Sequence, residues 1–201
     1  MKNKFFEIGE LGPQPADQVP EEKSGILVEK FMQVHVARIE SIKKLSNRIP
    51  KEGEIYFLWT VNSFNAFTFV PFILKEFGII EELIISTYSI NIRIIDALMK
   101  LIDMGKIKKI CIIISDSIRN RLPKVYDYLI SLVENYPVTV KYCWNHSKIA
   151  LIRTKDHHFD LEGSGNWGEN AQHEQYVFLN SKKVFEFRKN EILNGMDSSA
   201  V

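Results

Sequence analysis

Cysteine is scarce: Cys111 and Cys143 are the only two in 201 residues, too few for a disulfide scaffold. Both sit inside apolar, strand-like runs and read as small buried hydrophobes in a reducing compartment. An excess of one charge is missing as well. Twenty-six lysines and arginines face 25 aspartates and glutamates, a net charge of +1, so no global field draws in a polyanion. Any nucleic-acid affinity must come from a local patch. Long hydrophobic runs are absent too: the most apolar stretches are broken by Asn, Lys or Glu before membrane-spanning length. Met1 to Glu10 is charged and lacks the apolar core of a signal peptide. The expectation is a cytoplasmic protein with no membrane association. No internal repeat is visible, so any motif occurs once.

What is present suits one compact domain, with an apolar fraction of 45% that supplies a core. Gly9, Gly12, Pro13, Pro15 and Pro20 punctuate residues 1–25, which read as an irregular N-terminal arm. Val28, Phe31, Met32, Ile39, Ile42 and Leu45 recur at helical spacing and predict a leading helix over 26–48, opening a domain that runs 26–201. A rhythm then begins. Glu54 to Val61, Glu82 to Tyr88, Lys108 to Ser115 and Val138 to Trp144 read as strands; Asn65 to Phe77, Asn91 to Met104 and Arg119 to Asn135 read as helices. After His146 a hairpin is expected around Lys155-Asp156-His157-His158, then a strand at Gln175 to Leu179 and a helix from Ser181 to Leu193. The class is α/β: a mixed, mostly parallel sheet flanked by helices on both faces.

The segment richest in chemistry is His146-Ser147-Lys148, followed by Gly163-Ser164-Gly165-Asn166 and Glu174. In a strand Lys148 shares a face with His146, so its ammonium can sit on the oxygens of a phosphodiester that the imidazole attacks. Ser164 and Asn166, beside a glycine turn, can present a hydroxyl and an amide to the charge that grows in the transition state. Glu174 can accept a ring N–H and hold a histidine tautomer.

These residues resemble the phospholipase D-like superfamily, the HKD family, whose pattern is His-x-Lys, four residues, Asp, then Gly-Ser-x-Asn. His146, Lys148, Gly163, Ser164 and Asn166 match residue by residue, while the Asp position falls on Arg153. With a single motif, the chain looks like the bacterial endonuclease branch. The resemblance implies a phospholipase D-like fold and metal-independent phosphodiester hydrolysis without a cofactor. One histidine forms a phosphohistidine and a second protonates the leaving group. A single-motif chain then needs a homodimer with the site on its two-fold axis, supplying His146, Lys148, Asn166 and Glu174 twice.

Strand ends add candidates. In open parallel sheets ligands bind beyond the carboxyl ends of the strands. Tyr88 and Asn145 stand at such ends and either touch substrate or turn the chain. Arg93, Arg119 and Arg121 either bind phosphate or are solvated first-turn residues. Lys106, Lys108 and Lys109 form a basic run with Lys100, a solvated face or a backbone contact. Trp167 either stacks a base, walls the pocket or belongs to the core. His146, His157, His158 and His173 fit no zinc spacing, so no metal is expected. Three functions follow: a nuclease acting on nucleic acid, a catalytically silent nucleic-acid-binding or assembly module, and a phospholipase.

Overall fold

The computed structural model describes residues 29–45, 48–61, 64–168 and 173–194; the arm at 1–25 and the strand end at Asn62-Ser63 lie outside them. Among the described residues the strands are β1 Gln33–Ile39, β2 Glu54–Thr60, β3 Glu82–Thr87, β4 Ile110–Ser115, β5 Val138–Cys143, β6 Ile149–Arg153, β7 His158–Gly163 and β8 Glu174–Asn180. The helices are α1 Phe69–Phe77, α2 Ile92–Asp103, α3 Ile118–Arg121, α4 Pro123–Asn135 and α5 Lys182–Asn194. All strands join one sheet in the order β1-β2-β8-β7-β6-β3-β4-β5. Three pairings are parallel (β1 with β2, β3 with β4, β4 with β5) and four are antiparallel. The sheet is therefore mixed rather than mostly parallel. The antiparallel strands β6, β7 and β8 come from the hairpin and its continuation, and they separate the two parallel groups.

Local chemistry explains most boundaries. Asn91 caps α2 by accepting from the Ile94 amide at 2.9 Å. Gly78 and Gly105, at φ 75° and 66°, close α1 and α2 in a conformation that β-carbon-bearing residues avoid. Arg119 to Asn135 is not one helix. Pro123 sits at the start of α4 and lacks an N–H, and it drives Leu122 to φ −138°, which splits α3 from α4.

The leading helix over 26–48 is corrected by the structure. Gln33–Ile39 is a strand paired in parallel with β2, followed by a short 3-10 turn at Ile42–Leu45. The alternation of Val34 and Val36 with Ala37 and Ile39 suits a strand, and pairing with β2 overrides the helical spacing.

Strand alternation sorts the core into two clusters. Leu83, Ile85, Ile112 and Ile114 pack with α1, α2 and α4. Ile84, Ile113 and Leu151, on the opposite face, pack with Phe185 and Ile192 of α5. Buried Glu82 ties α5 to the sheet: Lys189 lies at 2.7 Å, Lys109 and Arg153 at 3.5 Å. Burial pushes the Glu82 carboxyl up, but these cations outweigh it and hold it below the usual range. No helix among the described residues is long and apolar enough to cross a membrane.

Asp160 on β7 is fully buried beneath α5. Among the described residues no donor reaches either carboxyl oxygen. It meets the Glu162 carboxyl, which Arg188 grips at 2.6 and 3.2 Å. Burial first, then the Glu162 charge, raises the Asp160 pKa well above 3.8. A folded pKa above the unfolded one means stability is greatest below 3.8 and is lost as pH rises through the folded value. Asp160→Asn, which keeps the shape and a donor for Glu162, is expected to stabilise the fold by about 1–3 kcal/mol at pH 8. Urea unfolding at pH 4 and pH 8 checks this; the gain should shrink on acidification.

Candidate active site

Strand direction brings the candidate residues to one edge. The carboxyl ends of β2, β3, β4, β5 and β7 meet the amino ends of β6 and β8 there. His146 and Lys148 lie between β5 and β6, Ser164 follows β7, Glu174 opens β8 and Tyr88 follows β3.

Asn145 builds the support beneath His146. Its amide donates to Ser86 Oγ at 3.0 Å and to the carbonyls of Thr87 and Ile113 at 3.3 Å. Its oxygen accepts from the Ser147 amide and hydroxyl at 2.9 and 2.8 Å. Every polar atom of a buried side chain is thus spent on the protein, so Asn145 positions the His146 peptide. Ser86 and Ser147, linked through their hydroxyls, complete the support.

His146 itself is exposed. The Lys148 ammonium donates to the His146 carbonyl at 2.8 Å and lies 3.2 Å from its Nδ1. Burial lowers the Lys148 pKa from 10.5, and the Glu174 carboxylate partly offsets it. The Tyr88 ring sits 4.8 Å from the His146 ring, and the Arg121 guanidinium lies 4.0 Å over Tyr88. Arg121 also reaches Ser117 Oγ at 3.1 Å and the Tyr88 carbonyl at 3.2 Å.

Ser164 donates to the Glu174 carboxylate and accepts from the Gln175 amide at 3.1 Å. Within one chain Glu174 therefore holds Ser164 rather than the His146 ring. Thr60 fixes the strand end by accepting from the Glu174 amide at 3.1 Å. Asn166 is half-buried on the same edge.

Two substrate candidates move elsewhere. Trp167 is completely buried, bridged to Ile90 and packed against Phe67. It is a core residue. Arg93 is exposed in the first turn of α2 and does not line the groove described below. Arg119 lies 5.4 Å over Tyr126 and Tyr142, and Lys108 and Lys109 pair with Glu81 and Glu82. His157 and His158 pack on Phe77 and Phe185.

Arg153, at the family's aspartate position, pairs with Glu82 across β6 and β3. It stands five residues from Lys148 along an extended strand, roughly 16 Å away. Arg153 thus lies on the sheet edge opposite Lys148.

His146 and Lys148 open onto a groove of about 1000 Å³ that crosses β6, β7, β8, β2 and β1 on the α5 side of the sheet. Sequence reasoning missed its far wall, Arg38, Phe57 and Trp59. The available signal was Phe57 and Trp59 alternating with Tyr56 and Leu58, which leaves large apolar groups on both faces of one strand.

No family model matches the chain, and none of the curated proteins matches its sequence. Solved structures do overlap it. A phosphatidylserine synthase of Haemophilus influenzae shares 15% identity over 70% of this chain and 38% of that one, with a TM-score of 0.49. A polyphosphate kinase of Porphyromonas gingivalis shares 20% over 73% and 27%, at 0.47. TrmBL2, an archaeal chromatin protein described with a novel mode of DNA binding, shares 11% over 79% and 56%, at 0.45. The chain thus spans less than two thirds of each.

Proposed function

We propose that this chain is a phospholipase D-like phosphodiesterase of the single-motif type, acting on nucleic acid through a phosphohistidine at a site shared by two copies. The observation that carries the reading is the pairing of exposed His146 with the Lys148 ammonium at the mouth of an open groove. An imidazole nitrogen of one His146 attacks phosphorus, and the bond to the leaving oxygen breaks as the second copy's imidazole protonates it. Water then displaces the histidine and releases the phosphate ester. Lys148 balances the charge on the non-bridging oxygens. Asn145 holds the nucleophile in place, and Ser164 borders the same pocket with its hydroxyl bonded to Glu174.

The test is hydrolysis of single- and double-stranded DNA and RNA, and of bis(p-nitrophenyl) phosphate, in excess EDTA. Cleavage together with a dimeric mass supports the reading. Nucleic-acid binding without hydrolysis of any diester leaves a silent binding module. Choline release from phosphatidylcholine vesicles, with no polymer cleaved, makes it a phospholipase.

Alkaline pH offers a second check. The charged form of Lys148 serves the phosphate, and its pKa lies below 10.5. The alkaline fall in kcat/KM is expected to start below the ordinary lysine range. Lys148→Arg, which stays charged, should lower the rate but move that fall to higher pH.

A further inference from the structure

We propose that the open sheet face beside His146 is a platform for single-stranded nucleic acid, on which Phe57 and Trp59 stack bases and Arg38 holds a phosphate. This rests on the phosphodiesterase reading for its reaction, but not for its binding.

Phe57 and Trp59 are two apart on β2, so both point to the same face, and they remain 43% and 50% exposed. Strand register sets Arg38 beside Trp59 and Val36 beside Phe57, all on the groove wall. His173 stacks on Trp59 with ring centroids 6.0 Å apart and planes 30° apart, which steadies the indole. The neighbouring strands extend this row through Gln175 toward Ser164. From Trp59 on β2 to β6 is three strand spacings, about 14 Å, which is two to four nucleotides of chain depending on stacking.

The spacing selects the substrate. Residues two apart on a strand lie about 6.6 Å apart, roughly twice the 3.4 Å rise of a duplex strand. Bases seated on both rings are therefore unstacked from each other, which only a single strand allows. Duplex bases are enclosed and cannot reach rings on the wall of a groove. A hydrocarbon tail fits less well, because it would seal Arg38 and the Glu162–Arg188 ion pair against apolar chain without water. Arg38 and Lys148 instead mark the two ends of the groove with positive charge, as a phosphate backbone requires.

The test uses the full chain in EDTA and a fluorescein-labelled 12-mer oligothymidylate, with the matched duplex as competitor. The double variant Phe57→Leu/Trp59→Leu keeps apolar bulk and removes the stacking faces. Its affinity for the single strand is expected to fall about tenfold or more while its circular dichroism and unfolding midpoint stay close to the parent's. Arg38→Gln should reduce the salt dependence of binding by about one phosphate contact. Unchanged single-strand affinity in the leucine variant overturns the proposal, as does tighter binding of the duplex by the parent. Loss of phosphatidylglycerol-vesicle binding, or of a dimer, in the leucine variant with oligonucleotide affinity intact overturns it in favour of a lipid or a second copy. His146→Ala separates the two readings. If it stops cleavage while the leucine variant binds normally, the platform fails and the phosphodiesterase stands. If the leucine variant loses affinity and the parent cleaves no diester, the platform stands and the enzymatic reading fails.

Discussion

His146→Ala is expected to lower phosphodiester hydrolysis by at least about 10³-fold, measured as kcat/KM on bis(p-nitrophenyl) phosphate and as oligonucleotide cleavage in EDTA. The expectation follows from exposure and from support. The ring is open to the groove, while its backbone is clamped by buried Asn145, which is bonded to three acceptors on β3 and β4. Removing an exposed side chain leaves that clamp intact, so stability should move by less than about 0.5 kcal/mol. A large rate loss without a stability loss would assign the effect to chemistry. If the two copies share one site, mixing His146→Ala with parent chain should depress the rate by more than simple dilution. An activity that survives His146→Ala would remove the phosphohistidine from the account. Lys148→Ala should cost less, about 10²-fold, because it stabilises charge and forms no bond to phosphorus.

Gly163→Ala is expected to lower the stability by at least about 2 kcal/mol, and with it the rate. The reason is steric rather than conformational, since Gly163 is not among the glycines with positive φ. A β-carbon there would stand 2.6 Å from the Gln175 carbonyl oxygen and would run into the Tyr176 ring. Neither neighbour can yield cheaply. The oxygen belongs to the β8 backbone, and Tyr176 is buried with its hydroxyl bonded to the Phe64 carbonyl at 3.1 Å. β7 and β8 would have to part just where Ser164 meets Glu174. Thermal unfolding should show a midpoint roughly 4–8 °C lower. A midpoint within about 1 °C of the parent would mean that the strands separate more readily than this packing allows.

Much of the fold is legible along the chain where burial is two-sided. Ile110 to Ser115 is buried on both faces, and its unbroken apolar run marks it as a strand without reference to a partner. The Lys155-Asp156 turn and the Gly78 and Gly105 helix ends are equally local signals. Gln33–Ile39 is different. Its identity depends on β2, a partner no local pattern names, and half its side chains face the open groove, where polarity carries little information. The insertion of β8 between β2 and β7 is likewise a long-range fact. In the site, the grouping of His146, Lys148, Ser164 and Glu174 is legible because spacing brings a strand start, a turn and another strand start together. The division of labour is not. Asn145 and Trp167 are polar or aromatic residues beside the motif, and only burial shows that one braces the backbone and the other fills the core.

The turn joining β6 to β7 lies on the sheet edge opposite His146. It is closed by the Thr154 amide donating to the His157 carbonyl at 3.0 Å, and it leaves Lys155 and Asp156 exposed. A surface tether, affinity handle or fluorescent reporter placed at either residue would orient the molecule with its working edge toward the solution. Immobilised that way, the protein presents its groove to passing polymer rather than to the support.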